Sequence, residues 1–194
     1  ESRSLTTLCV VYPESVFRSL LAAERDRAVA LREKLYECIQ FLIDHQIQFE
    51  LADEASLDSA VIQEKTFRCG LRTYDTLLVP FPWKLKCLER FQQNGIRIVN
   101  HPGDSQSLKG RDGYALSGEG ADPRRVMAQY RSNADGKLLY LFNNQDVRGV
   151  FQLHLDTPPA GGVYLYRADT DSYAELGADF RFALDPFDAV ILAL

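Results

Sequence analysis

The amino-acid sequence predicts an α/β protein in two parts, a parallel-sheet domain followed by a small antiparallel all-β domain. Residues 74–100 read as a strand, a helix and a second strand in close succession. Earlier in the chain a long helical pattern also lies between two apolar runs, and seven short apolar runs follow residue 124. We therefore predict an α/β domain over residues 1–104, a linker over 105–123 and a sandwich-like domain over 124–194.

The first predicted element is a strand at Leu8–Val11, a continuous apolar run typical of strands that are covered on both faces of a sheet. From Ala22 to about His45 apolar residues recur every three or four positions, which predicts a long helix with its charged residues mostly on the other face. Ile47–Leu51 then alternates polar and apolar residues and predicts a second strand.

A less regular segment follows. Asp53–Leu57 predicts a short helical turn. Val61–Ile62 and Phe67–Cys69 predict the two strands of a small hairpin, because both are short apolar runs bounded by polar residues.

The strand–helix–strand unit at residues 74–100 carries the strongest pattern. Thr76–Val79 predicts a buried strand that Pro80 and Pro82 end, since proline cannot donate to a sheet ladder. An amphipathic helix follows, Gly95 ends it, and Ile96–Val99 predicts the next strand. This order is typical of a parallel sheet.

The second half of the chain has a different character. Residues 101–123 are rich in Gly, Ser, Asp and Pro, which predicts a connection without regular structure. Turn residues then separate seven short runs that predict an antiparallel sheet or small sandwich. These runs are Val126–Arg131, Leu138–Asn143, Val150–Leu155, Val163–Tyr166, Tyr173–Leu176, Phe180–Leu184 and Ala189–Leu194.

Composition excludes several classes of partner and setting. The net charge of −5 gives no reason to expect binding to nucleic acid or to an anionic membrane surface. No apolar run approaches the roughly 20 residues that span a bilayer, and the first residues lack the pattern of a signal peptide. The four cysteines form no CxxC pair, which argues against a zinc site and predicts reduced thiols and a cytoplasmic setting.

Candidate binding residues follow from the rule that an open parallel sheet binds ligands beyond the carboxyl ends of its strands. Those loops contain Glu14, Trp83, His101 and Asp104, which are the candidate ligand-binding residues. The loop after the first strand reads YPESVF and lacks the GxGxxG pattern that approaches a dinucleotide phosphate. We therefore predict no cofactor, no metal and no catalytic residue.

Acidic pairs leave one alternative open. Asp53 with Glu54, and Glu119 with Asp122, would supply the acid and base of a glycosidase if folding placed them in a cleft. Both pairs lie in polar turn segments, which favours solvated carboxylates.

Several motifs resemble one family. The Tyr74–Pro80 run, the helix after it and the Gly95 strand resemble the amidotransferase-like domain of large bacterial glycoside hydrolases of the beta-galactosidase and alpha-L-rhamnosidase types. The runs DGKLLYLFNNQD, VFQLHL, GGVYLYRADTDSYAEL and LDPFDAVILAL resemble the terminal β-domain of the same enzymes. The resemblance implies a flavodoxin-like sheet of the class I amidotransferase type. The chain has neither the (β/α)8 barrel of these enzymes nor the Cys-His-Glu set of true glutamine amidotransferases.

The leading hypothesis is a non-catalytic carboxyl-terminal portion of a glycoside hydrolase that packs against the catalytic domain of the same polypeptide and assists subunit contacts. A carbohydrate-binding module is the second hypothesis, with Trp83, Tyr164, Tyr166 and Tyr173 as its aromatic platform. A third is an independent amidotransferase-like hydrolase, with Cys69 or Ser15 as the nucleophile and His101 as the base.

Overall fold

The computed structural model describes residues 3–4, 6–81, 85–100, 113–132 and 134–194. Its contacts divide the chain into two compact units. The parallel-sheet unit comprises Thr6–Leu42 and Phe49–Ser107, and the antiparallel unit comprises Glu1–Leu5, Ile43–Gln48 and Leu108–Leu194. The domain boundaries drawn from the sequence stay a prediction.

The chain before residue 100 contains both strands and helices. In chain order the elements are β1 (Arg3–Ser4), β2 (Leu8–Tyr12), α1 (Glu14–Ala23), α2 (Arg25–Asp44), β3 (Glu50–Asp53), α3 (Glu54–Asp58), β4 (Val61–Gln63), β5 (Thr66–Cys69), β6 (Arg72–Tyr74), β7 (Thr76–Leu78), α4 (Cys87–Gln93) and β8 (Arg97–Val99). The sheet of the parallel unit has the spatial order β3-β2-β7-β8 with every neighbouring pair parallel, and β4-β5-β6 form a separate antiparallel sheet. This confirms the predicted parallel sheet.

Apolar strands and rings form the core of the parallel-sheet unit. The first four residues of β2 are buried, as expected of a strand inside a parallel sheet. Cys9 and Leu77 lie on neighbouring strands, and the rings of Phe67 and Phe91 pack with centroids 4.6 Å apart. The small hairpin sheet and α4 therefore share this core with the parallel strands.

Two details of the first half differ from the sequence prediction. The long helix predicted from Ala22 to about His45 is α2, which begins at Arg25, and an additional helix, α1, precedes it over Glu14–Ala23. The backbone leaves the helical region between the two helices at Glu24 (φ −142°, ψ 69°). The second strand begins at Glu50 instead of Ile47, because the chain first makes a turn at Gln46, whose φ is 55°.

The antiparallel unit contains the strands of the second half. These strands are β9 (Tyr114–Glu119), β10 (Val126–Ser132), β11 (Lys137–Asn143), β12 (Gly149–Leu155), β13 (Tyr164–Arg167), β14 (Ser172–Glu175), β15 (Arg181–Leu184) and β16 (Ala189–Ala193). All seven predicted runs form strands within two residues of the predicted bounds, and β9 is an additional strand. The sheets have the orders β1-β10-β11-β16-β13-β14 and β15-β12-β9, and residues from both contribute to one core.

Strand β9 lies within the segment that the sequence predicts as a linker. It pairs with β12, where Phe151 stands opposite Gly118. A Cβ atom on Gly118 would lie 2.7 Å from the Phe151 ring, and one on Gly149 would lie 2.6 Å from it. The glycine that made this segment resemble a loop is therefore needed so that the buried ring can pack against the strand backbone.

The side chains of two glutamines form hydrogen bonds with backbone groups at strand edges of the antiparallel unit. Gln46 accepts a hydrogen bond from the Leu116 N–H (2.9 Å) and donates to the carbonyls of Leu116 (3.4 Å) and Pro123 (3.0 Å). Gln48 accepts from the Tyr130 N–H at 2.8 Å. Their side chains thus replace a neighbouring strand along β9 and β10, where unpaired backbone groups would otherwise be exposed.

A buried asparagine connects two loops of the same unit. Asn143 ends β11 and is fully buried. Its amide group donates to the carbonyls of Val147 and Asp185, both at 2.9 Å, and its carbonyl accepts from Gln145 Nε2 at 3.0 Å. Asn143 therefore joins the β11–β12 loop to the β15–β16 loop.

Candidate functional site

A polar cleft lies at the carboxyl edge of the parallel sheet. Strands β2 and β3 end there, and helices α1 and α3 begin directly after them. The cleft has a volume of about 750 Å³. This is the edge at which open parallel sheets bind ligands. Its lining residues are Glu14, Ser15, Arg18, Ser19, Glu54, Ala55, Asp58, Leu85 and Lys86.

The carboxylate of Glu54, the first residue of α3, lies at the amino terminus of α1. Its carboxylate accepts hydrogen bonds from the backbone N–H of Ser15 (3.2 Å) and from the Ser15 hydroxyl (2.8 Å). The residue before α1, Pro13, provides no side-chain cap of its own. Because a carboxylate already sits at this positive helix end, a phosphate group would have to displace it.

Two other acidic residues of this region, Glu14 and Asp53, also have bonding partners within the chain. Glu14, the predicted binding residue that lies in the cleft, forms an exposed ion pair with Arg18 at 2.5 Å. Asp53 caps α3, and hydrogen bonds from the Ser56 N–H and hydroxyl lower the pKa of the Asp53 carboxyl. The Asp53–Glu54 pair therefore caps two helices, and the lowered pKa of Asp53 is the opposite of what a general acid requires.

The remaining predicted binding residues, Trp83, His101 and Asp104, lie outside the described residues. The surroundings of both proposed nucleophiles are described. The Ser15 hydroxyl donates to a carboxylate, and the Cys69 thiol lies 3.5 Å from the Ser56 carbonyl. Burial raises the pKa of the Cys69 thiol, the opposite of what activates a cysteine nucleophile.

A second cavity in the parallel-sheet unit is an apolar groove of about 220 Å³. The rings of Tyr12 and Phe17 meet there with centroids 5.7 Å apart. Tyr36 is 60% exposed and Tyr12 is 40% exposed, so large aromatic surfaces face solvent beside the groove. We call it the aromatic groove; its lining is Tyr12, Phe17, Ala28, Val29, Arg32, Leu35 and Tyr36.

Three tyrosines lie together on the antiparallel unit. Tyr166 on β13 stands opposite Tyr173 on β14, with ring centroids 4.6 Å apart and planes inclined by 34°. Tyr173 is 73% exposed and Tyr164, two residues before Tyr166, is 41% exposed. The aromatic platform that the second hypothesis requires is thus accessible at two of its three β-domain positions.

A serine–histidine pair lies on the outer face of the smaller antiparallel sheet. His154 Nε2 on β12 is 2.8 Å from Ser117 Oγ on β9, and both side chains are exposed. Ser117 could be found only with the β9–β12 register, which the predicted linker concealed.

Across the parts of the chain that the structure describes, no three His, Cys, Asp or Glu side chains are arranged to hold a metal ion. All four cysteines are free thiols, and Cys9, Cys38 and Cys87 are buried. Among the described helices, none is both long and apolar enough to cross a membrane.

No family model matches the chain, and no curated protein matches it in sequence. Solved structures do share its fold. A GH42 beta-galactosidase from G. stearothermophilus matches 96% of this chain with a TM-score of 0.61 at 8% identity. An apo exo-carrageenase GH42 from Bacteroides ovatus matches 97% with a TM-score of 0.56 at 11% identity.

A rhamnosidase from Novosphingobium sp. PP1Y matches 75% of this chain with a TM-score of 0.53 at 13% identity. The matched regions make up 40% of the galactosidase, 29% of the carrageenase and 19% of the rhamnosidase. The chain therefore has a fold that occurs as a minor part of larger glycoside hydrolases.

Proposed function

We propose that the chain is a non-catalytic accessory region of a glycoside hydrolase and packs against the catalytic part of the same polypeptide. The observation that carries the proposal is the coverage of the structural matches. In two glycoside hydrolases the shared fold spans 96% and 97% of this chain, yet less than half of the matched protein. Both units together, in sequence order, thus correspond to a segment that accompanies further domains.

The strand order supports the finer assignment of the parallel-sheet unit. Numbered by their order along the chain, β3-β2-β7-β8 read 2-1-3-4, the first four positions of the flavodoxin-like order. We propose that this unit has the amidotransferase-like form of the flavodoxin-like fold without its chemistry. The hydrogen bond from the Ser15 hydroxyl to the Glu54 carboxylate and the raised pKa of the Cys69 thiol support a role without catalysis.

The aromatic groove is the docking surface in this proposal. Interfaces are enriched in aromatic residues whose burial supplies much of the binding energy. Tyr36 and Tyr12 present such surface, and Arg32 adds a group that can pair with a carboxylate at the rim. The catalytic part of the polypeptide is the proposed occupant. Association with further copies of the chain stays a prediction.

One experiment tests separately that the chain is non-catalytic and that it docks through the aromatic groove. The purified chain is assayed with aryl glycosides, and its binding to the separately expressed catalytic part of its reading frame is measured by calorimetry. We expect no hydrolysis by the chain and measurable binding that Tyr36→Asp weakens by at least about tenfold, because a charge is then placed in the groove. Phe187→Asp, which changes an equally exposed aromatic residue in the other unit, is the matched control.

Hydrolysis by the chain alone would disprove the non-catalytic role. Binding that Tyr36→Asp leaves unchanged, or a reading frame without a catalytic part, would disprove docking through the groove.

A further inference from the structure

The outer face of the larger antiparallel sheet carries tyrosines at the β13–β14 hairpin. Side chains alternate between the two faces of a strand, and Leu165 belongs to the core. Tyr164 and Tyr166 therefore point to the opposite face. Tyr173 stands directly across from Tyr166, so all three rings belong to this face, which we call the tyrosine face.

Within the tyrosine face, the ring of Tyr166 is held by a hydrogen bond, and the ring of Tyr173 is exposed to solvent. Tyr166 donates a hydrogen bond to Asp171 Oδ1 at 3.2 Å, which fixes its ring against Tyr173. Tyr173 retains 73% of its surface exposed although it packs on its neighbour. Its far side is a rigid, solvent-facing aromatic surface on an edge strand whose residues are all exposed.

Polar groups at the rim select the ligand chemistry. Glu175 stands opposite Tyr164 and two residues after Tyr173, so it belongs to the same face. Its carboxylate, with that of Asp171, offers acceptors for ligand hydroxyls. The guanidinium of Arg167, the residue after Tyr166, is bound to Asp188 and to the Ala183 carbonyl, both at 2.6 Å. The rim is thus acidic and suits an uncharged ligand with many hydroxyl groups.

We propose that the tyrosine face binds a neutral pyranose ring, stacked on Tyr173, with the carboxylates of Glu175 and Asp171 accepting hydrogen bonds from its hydroxyls. A pyranose has an apolar C–H face and an equatorial belt of hydroxyl donors, which match an aromatic surface with an acidic rim. A sulfated saccharide is disfavoured because its charge would face these carboxylates. This site is independent of the aromatic groove, so each proposal can fail without the other.

The test titrates the full chain with a neutral galactan oligosaccharide and follows the tyrosine signals by NMR. We expect shifts confined to Tyr164, Tyr166 and Tyr173, and about tenfold weaker binding in Tyr173→Ala, the loss of one aromatic stacking contact. Tyr173→Phe keeps the ring and is expected to bind like the natural chain. Leu71→Ala, which removes an exposed apolar side chain from the other unit, is expected to change nothing.

A parallel titration uses a sulfated carrageenan oligosaccharide. If the sulfated oligosaccharide binds more weakly than the neutral one, this supports the proposed selection of neutral ligands by the acidic rim. If it binds more tightly, that selection is overturned. The proposal is also overturned if the neutral oligosaccharide shifts none of the three tyrosines, or if Tyr173→Ala binds it as tightly as the natural chain. Because Tyr173 is exposed, an unchanged urea midpoint is expected in both Tyr173 variants, which excludes misfolding as the cause of a loss.

Discussion

Replacing Asn143 by alanine is expected to destabilise the antiparallel unit strongly. Asn143 is fully buried and its side chain makes three hydrogen bonds, to Val147, Asp185 and Gln145. A hydrogen bond contributes about 1 kcal/mol, and a buried group left without a partner costs about 1–3 kcal/mol. The loss of all three bonds should lower the free energy of unfolding by about 3 kcal/mol, a large share of a typical total of about 5–15 kcal/mol.

Urea unfolding followed by far-UV circular dichroism measures this change. With a slope of about 1.5–2 kcal/mol/M, the midpoint of the antiparallel unit should fall by roughly 1.5–2 M. Asn144→Ala is the matched control, because this neighbouring asparagine is exposed and its change should stay within about 0.5 kcal/mol.

A second variant, Asn143→Asp, tests whether the hydrogen-bond donors of this side chain are required. It keeps the size of the side chain but replaces its donors by acceptors that face the two carbonyls. We expect it to destabilise at least as much as Asn143→Ala. If Asn143→Ala cost no more than Asn144→Ala, the two loops would not depend on this side chain and the reasoning would be refuted.

Two further predictions concern the strand edge and the thiols. Gln48→Ala should raise amide hydrogen exchange at Tyr130 by about tenfold, because the N–H loses its acceptor, and equal exchange would contradict the edge-pairing role. Burial raises the pKa of Cys38 and, together with the charge of Asp58, of Cys87 to about 11, from 9.0. Between pH 9 and 11 the unfolded state therefore loses protons that the folded state keeps, so the free energy of unfolding should fall with pH. Urea midpoints should show a smaller fall in Cys87→Ala, and an equal fall would contradict the assignment.

Local patterns predicted most of the fold. The alternation in VFQLHL and LLYLF gave strands close to the observed bounds, because one face of each strand is buried in the core. The parallel sheet followed from apolar runs separated by a helix. Helix α1 was missed because it is only ten residues long and follows Pro13 directly, so no extended periodicity distinguished it from a loop.

Long-range contacts account for what the sequence could not reveal. Strand β9 depends on Phe151 and on the Gln46 side chain, neither of which is near it in the chain. The cleft at the sheet edge followed from the carboxyl-end rule, and Glu14 does line it. The bond between Ser15 and Glu54 joins residues 39 positions apart, so no local spacing indicates that the site is already occupied by a carboxylate.

The two edge glutamines have a consequence for how the chain is synthesised and folds. Gln46 and Gln48 leave the ribosome before β9 and β10, and their partners lie 70 and 82 residues further on. The antiparallel unit therefore cannot complete its strand edges until both distant segments have met, a long loop closure that slows folding. A recombinant chain begun at residue 105 would lack both glutamines, and its open strand edges would favour aggregation during expression.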